Sequence, residues 1–242
     1  MPNKHSLPYF SDSADLFAHI AHKPWAVYLD SAYPHSQQGR FDILASDPVI
    51  TIVTRGNETT IVKDGIVTTS ADDPFYLLQH YLGPKRTNLT DLPFSGGAIG
   101  YFSYDLGRRI EKLPVLAADN EAISDMVVGI YHWAVVVDHQ LKQSWLVSCD
   151  LESTKLDQLL SMFSAPAKVE YKTFAVLAPP VLNLSKQQYE NAFERIKNYM
   201  LEGDCYQVNL TQRFASPCEG DPWTAYCKLR KINAAPFSAY MN

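Results

Sequence analysis

Five short runs rich in β-branched and aromatic residues crowd the first 70 positions: 25–29, 41–45, 49–54, 59–63 and 66–69. The last two flank Asp64-Gly65. That dipeptide is the strongest short signal for a two-residue hairpin, because both turn positions need positive φ. Ser46-Asp47-Pro48 marks a second turn, between 41–45 and 49–54. Strands this short and this closely spaced pair most simply with their neighbours, and the pairing is then antiparallel.

Helices interrupt the series at irregular intervals. Residues 12–22 read as a short helix with Leu16, Phe17 and Ile20 on one face, broken by Lys23-Pro24. Asp73-Pro74 supplies an N-cap and a first-turn proline, Phe75, Leu78 and Leu82 an apolar face, and Gly83-Pro84 a stop. A glycine-rich strand is expected over 96–104, then a long hairpin of 127–137 and 144–148 turning at His139-Gln140. Periodicity is poor and prolines frequent from 164 to 180, which reads as a linker or crossing segment. Ser185 and Gln188 form a capping box before the stripe Tyr189, Ala192, Phe193, Ile196 and Met200, and Gly203 ends that helix. Residues 205–213 then alternate. Gln207, Asn209, Thr211 and Arg213 are expected on one strand face, and Tyr206, Val208 and Leu210 on the other, in the core. A last helix opens at Asp221-Pro222, turns Trp223 and Tyr226 inward and fades near Asn233. The pattern is α+β with mostly antiparallel sheet.

Composition narrows the class. Of the 242 residues, 46% are hydrophobic and 19% charged, enough for a real core. A net charge of −5 argues against nonspecific nucleic-acid binding, which rests on basic surface. No apolar run approaches the roughly 20 residues that span a bilayer, and residues 1–10 hold no apolar signal-peptide core. Cys149, Cys205, Cys218 and Cys227 make no Cys-x-x-Cys pair, so a reducing, cytoplasmic setting is the simplest expectation.

Few motifs carry chemistry by themselves. Ser31 closes one strand and Arg40 opens the next, so a hydroxyl and a carboxylate-matching guanidinium border one loop and could grip an amino acid. Pro236-Phe237-Ser238 is a stiff strand entry that presents a ring and a free carbonyl. Gly96-Gly97 with Gly100 lacks the spacing of a phosphate loop and reads instead as a bulge or as close packing of another backbone. Tyr101, Tyr104 and Asp105 are expected to form a structural hydrogen-bonded group. The seven histidines are scattered, with no metal-ligand spacing and no nucleophile elbow nearby. The polar face of 205–213 points to a binding cleft, since buried polar groups need partners.

Taken together, several segments resemble a known family. They are Leu29-Asp30-Ser31-Ala32, Gly39-Arg40-Phe41-Asp42-Ile43, Gly96-Gly97-Ala98-Ile99-Gly100-Tyr101-Phe102, Gly203-Asp204-Cys205-Tyr206-Gln207-Val208-Asn209-Leu210 and Ala235-Pro236-Phe237-Ser238-Ala239. Over essentially the whole chain the sequence resembles component I of the chorismate-using synthases, in its aminodeoxychorismate synthase branch. Anthranilate synthases usually carry Val where Asn209 stands and Glu where Asp30 stands, which favours that branch. The resemblance implies a two-sheet sandwich with outer helices. It also implies amination of chorismate for folate (para-aminobenzoate) biosynthesis, Mg²⁺ held by acidic side chains, and a glutamine amidotransferase partner that supplies ammonia. It implies a tryptophan pocket as well, whose positions match Ser31, Gln38, Gly39, Arg40 and Phe41 on one wall and Pro236, Phe237 and Ser238 on the other.

The family's catalytic and metal motifs match nothing here, so no catalytic or metal residue is assigned. The chain ends at Asn242, after the apolar run Pro236-Phe237-Ser238-Ala239-Tyr240-Met241, as if cut off within a strand. The expected organisation is an N-terminal region over 1–165, a linker over 166–184 and the start of a chorismate-binding domain over 185–242, incomplete at the C-terminus. Alternatives are an anthranilate synthase component I fragment and a stand-alone amino-acid-binding regulatory module.

Overall fold

The computed structural model describes residues 3–84, 91–115, 119–167 and 173–242. Positions 168–172 of the expected linker, and residues 1 and 2 of the N-terminal segment, lie outside the described residues. The chain divides into two compact units, Met1–Glu170 with Tyr226–Asn242, and Tyr171–Ala225.

The larger unit begins with β1 (Asn3–Leu7), the short helix α1 (Ala14–Phe17), β2 (Val27–Asp30) and β3 (Phe41–Ala45). The helix expected over 12–22 is thus a single turn, followed by further turns up to Lys23-Pro24. β4 (Ile50–Arg55), β5 (Glu58–Lys63) and β6 (Ile66–Ser70) come next. Asp64 and Gly65 have φ of 50° and 76°, the positive pair the hairpin turn requires. Helix α2 (Pro74–Leu82) is capped by Asp73, whose carboxylate accepts from the Phe75 and Tyr76 amides, each at 2.9 Å. β7 (Gly97–Phe102) is glycine-rich for a reason of contact. A Cβ at Gly100 would sit 2.0 Å from the Val127 carbonyl oxygen.

The run 127–137 is not one arm of a hairpin. It is two strands, β8 (Met126–Tyr131) and β9 (Trp133–Asp138), broken at His132. β8 pairs with β4 and β7, whereas β9 pairs with β3 and with β10 (Gln143–Ser148). A continuous apolar run hides such a crossing, because it lacks the alternation that would show which face each half buries. Helix α3 (Ser153–Met162) follows. It and β1 are elements the sequence reading did not anticipate.

The second unit holds β11 (Phe174–Val176), β12 (Val181–Leu182), α4 (Lys186–Glu202), β13 (Phe214–Ala215) and β14 (Cys218–Gly220). β11 pairs with β14 and β12 with β13. The Ser185–Gln188 capping box is formed, and Gly203 ends α4 in the left-handed region at φ 84°. The stripe on α4 buries no residue. The alternating strand expected over 205–213 is absent, since these residues pair with no strand among those described. Tyr206 is 91% exposed and Val208 is exposed too, so the segment does not divide into a polar face and a core face.

Helix α5 (Pro222–Ile232) crosses the division between the units, and β15 (Ser238–Met241) returns to the first. The first unit therefore has a six-stranded sheet, ordered β1-β10-β9-β3-β2-β15, and a five-stranded sheet, ordered β6-β5-β4-β8-β7. Every strand pair is antiparallel. One core packs Val27, Ala45, Val136, Trp145 and Val147 of the first sheet against Ile99 and Tyr131 of the second. Another packs Ile50, Ile52, Ile61, Met126 and Val128 with Leu77 of α2 and Leu106. This is the α+β, antiparallel two-sheet architecture with outer helices that the sequence led one to expect. Tyr101, Tyr104 and Asp105 do not form a group. Tyr104 projects into solvent, and Asp105 pairs with Arg108 at the surface.

Candidate functional site

The loop between β2 and β3 is surrounded by buried charge. β2 ends at Asp30, and the pairing Leu29↔Ile43 brings Asp30 and Asp42 to the ends of adjacent strands. Alternation turns Leu29 and Ile43 to the core between the sheets and the two aspartates to the opposite face. Like charges placed so close are unfavourable unless each is compensated.

Arg230, from α5, compensates the first. Its Nε and Nη2 donate to the two Asp30 oxygens at 2.8 and 2.9 Å, and both side chains are almost fully buried. The Tyr226 hydroxyl, one turn earlier on α5, donates to Asp30 at 2.8 Å, and the Ala32 amide at 2.7 Å. Burial alone would raise the Asp30 pKa. The Arg230 hydrogen bonds and charge outweigh it, and the carboxyl is held below its ordinary value. Burial, then the negative Asp30 beside it, pushes the Tyr226 phenol up.

Asp42 is satisfied without a guanidinium. It accepts from the Ser31 amide at 2.6 Å, from the Ser13 hydroxyl and from His139 Nε2 at 2.6 Å. The His139 ring stacks on Tyr33 at 4.3 Å, and its Nδ1 meets the Tyr9 hydroxyl at 3.1 Å. Burial, with Tyr33 and the nearby aspartates, raises the Tyr9 pKa to about 12, so its hydroxyl keeps its proton at neutral pH. The His139 amide also donates to the Arg40 carbonyl at 2.9 Å. The loop 31–40 is thus tied at its start, middle and end.

The structure places the predicted residues unevenly. Ser31 is 2% exposed, and its Oγ has no hydrogen-bond partner among the described residues. Gly39 folds directly over it, where a Cβ would stand 2.2 Å from the Ser31 Cβ. Ser238 opens β15 opposite Asp30, so the two segments meet through strand pairing. The Ser238 hydroxyl donates to the Ala235 carbonyl. Arg40 places Nε and Nη2 on Asp138, at 3.0 and 2.7 Å, and lies over the Phe41 ring. Burial disfavours charge on Asp138, but the Arg40 hydrogen bonds and two backbone amides leave its pKa lowered. The Arg40 Nη1 edge stays open on a half-exposed side chain. Phe41 packs toward the inter-sheet core, Pro236 is half-buried, Gln38 is exposed, and Phe237 is 97% exposed.

Asp42, His139, Tyr226 and Arg230 were not assigned to a site from sequence. A signal existed. Asp42 is an acid within an apolar strand, and Tyr226 and Arg230 stand four apart on one helix face. Two cavities of about 530 Å³ each lie elsewhere, one beside Gly96, Tyr131 and Cys149, the other beside Trp25, Tyr101 and Met241. Neither takes in Ser31, Arg40 or Phe237. No three His, Cys, Asp or Glu side chains converge among the described residues to hold a metal ion. No helix among them is long and apolar enough to cross a membrane.

Residues 26–242 match the family described as chorismate binding enzyme. The chain belongs to this chorismate-binding family. It is 39% identical over 240 residues to aminodeoxychorismate synthase component 1 of Escherichia coli (strain K12), covering 98% of this chain and 52% of that one. It is 41% identical over 242 residues to the protein of the same name from Klebsiella aerogenes, with 98% and 52% covered. The crystal structure of anthranilate synthase component I from Streptococcus pneumoniae TIGR4 superposes with a TM-score of 0.64 at 26% identity, covering 84% of this chain and 47% of that one. The chain spans about half the length of the curated relatives it matches.

Proposed function

We propose that this chorismate-binding chain forms the N-terminal part of an aminodeoxychorismate synthase component I. The observation that carries the reading is identity of 39% and 41% along 98% of the chain to relatives of that name. The reaction would replace the ring hydroxyl of chorismate by the nitrogen of ammonia, giving 4-amino-4-deoxychorismate, with the hydroxyl leaving as water. A glutamine amidotransferase would supply the ammonia. Mg²⁺, when bound, would supply stabilisation of the charge that develops as the hydroxyl leaves. The described residues do not fit an Mg²⁺ site, since no three acidic or other metal-binding side chains converge among them.

In the larger unit the same reading puts an amino-acid pocket at Ser31 and the 38–41 turn, closed by Pro236, Phe237 and Ser238. Three features support tryptophan as its ligand. The Ser31 hydroxyl is buried and unpartnered, the Arg40 Nη1 edge is open to a carboxylate, and the Phe237 ring is uncovered.

Two experiments test these readings. In a chimera, this chain replaces the equivalent segment of the E. coli relative, and products from chorismate, Mg²⁺ and ammonia are separated by chromatography. The expected product is 4-amino-4-deoxychorismate; anthranilate would favour the other branch. The 242-residue chain alone should give no product above the buffer control. For the pocket, calorimetry should show tryptophan binding, weakened about tenfold in Arg40→Ala by loss of one ionic hydrogen bond. Equal affinity in both proteins would remove Arg40 from the pocket.

A further inference from the structure

Arg230 stands apart from every other cation in the described residues by what it joins. It is 4% exposed. Its Nη1 donates to Asp12 at 2.7 Å, ahead of α1. Its Nε and Nη2 hold both oxygens of Asp30. The same Nη2 reaches the Tyr28 hydroxyl at 3.2 Å and the Tyr33 carbonyl oxygen, inside the loop, at 3.1 Å. Eight residues beyond it in sequence, Ser238 pairs with Asp30 across the β2–β15 ladder. One guanidinium therefore touches the strand end, the loop and the N-terminal segment, and the helix that carries it leads directly into the second wall.

Asp30 is filled by the same contacts. One oxygen accepts from the Ala32 amide and Arg230 Nη2, the other from the Tyr226 hydroxyl and Arg230 Nε. Asp42 is likewise occupied by Ser31, Ser13 and His139. Neither carboxylate is open to a ligand's ammonium group. Ala32 meanwhile sits in the left-handed region, at φ 60°, where a residue with a Cβ is held only by its surroundings. Those surroundings are Asp30 on its amide and the Ser36 amide on its carbonyl.

We propose that Arg230 is the positioning residue of the pocket, and that Asp30 is part of its framework, not a ligand contact. Arg230 fixes Asp30 and the Tyr33 carbonyl, which together hold Ala32 in its left-handed turn. That turn points Ser31 and the 38–41 segment at the wall formed by β15. The ligand part of this inference rests on the amino-acid reading above; the hold on the loop does not.

The test uses the full 242-residue chain as wild type, Arg230→Lys, Tyr226→Phe and Ile61→Val. Lysine keeps the charge but has one donor group where arginine has a fork. Ile61→Val, in the core of the other sheet, controls for lost stability alone. Tryptophan affinity is measured by calorimetry, and exchange of the Ala32 and Ser36 amides by hydrogen–deuterium exchange. Arg230→Lys should weaken tryptophan binding at least about tenfold and speed exchange at both amides; Ile61→Val should do neither. Should Arg230→Lys fail to fold, Tyr226→Phe decides, with about threefold weaker binding and faster Ala32 exchange expected. Wild-type affinity and wild-type exchange in the folded variant overturn the proposal. If the wild type itself binds no tryptophan, the ligand reading falls, and exchange decides alone: faster in Arg230→Lys upholds the hold on the loop, unchanged overturns it.

Discussion

Gly39 shows how narrowly the loop is specified at the residue scale. Any side chain there meets the Cβ, the Cα and the carbonyl oxygen of Ser31 within 3 Å. Gly39→Ala should therefore destabilise the protein by about 1–3 kcal/mol, the usual range for overpacking. A thermal midpoint equal to wild type would show that the turn gives way freely. Asp30 offers a second test, through pH. Its folded pKa lies below the unfolded value of about 3.9, so its contribution is complete above that value. The contribution is lost as pH falls through the lower, folded pKa, because the unfolded chain then takes up the proton more readily. Asp30→Asn should be less stable than wild type at pH 6, with the gap closing as pH drops toward 2. A gap independent of pH would mean that the ion pair does not stabilise the fold. Sequence showed Ser31 and Arg40 but not these partners, because Arg230 and Asp30 lie 200 positions apart.

Local signals and ladder partners divide the elements into two kinds. Those with local signals formed where expected: the Asp64-Gly65 hairpin, α2 behind Asp73-Pro74, and α4 between its capping box and Gly203. Ser185→Ala removes the acceptor of the Gln188 amide and should lower the stability of α4 by about 1 kcal/mol, read as lost helical circular dichroism on heating. Helix content unchanged at every temperature would show that α4 does not depend on its cap. Elements whose form depends on distant partners were misread. Residues 205–213 alternate perfectly, yet alternation makes a strand only where a ladder exists to join. The run 127–137 has strand character throughout, and only the presence of two sheets breaks it at His132.

For the whole molecule, the consequential fact is that β15, far along the chain, pairs back onto β2. β15 pairs with β2 from Ser238↔Asp30 to Met241↔Val27. Tyr240 also packs against Phe17 of α1, with ring centroids 5.9 Å apart, and against Tyr226, at 5.3 Å. A chain ending at Ile232 should retain Arg230 yet melt lower and aggregate sooner, because β2 becomes a bare edge. A midpoint and solubility matching the full chain would show β15 to be dispensable. Sequence by itself determined the antiparallel α+β class, the hairpin and two capped helices. Each of these is encoded by neighbours within a few positions, through φ preference, capping or periodicity. Only the tertiary structure decided that 127–137 is split between two sheets, that β15 closes the Asp30 edge, and that Arg230 and His139 secure the Ser31 loop. Those outcomes depend on which strands pair and which buried charges meet, and such encounters between distant residues leave no mark in local sequence.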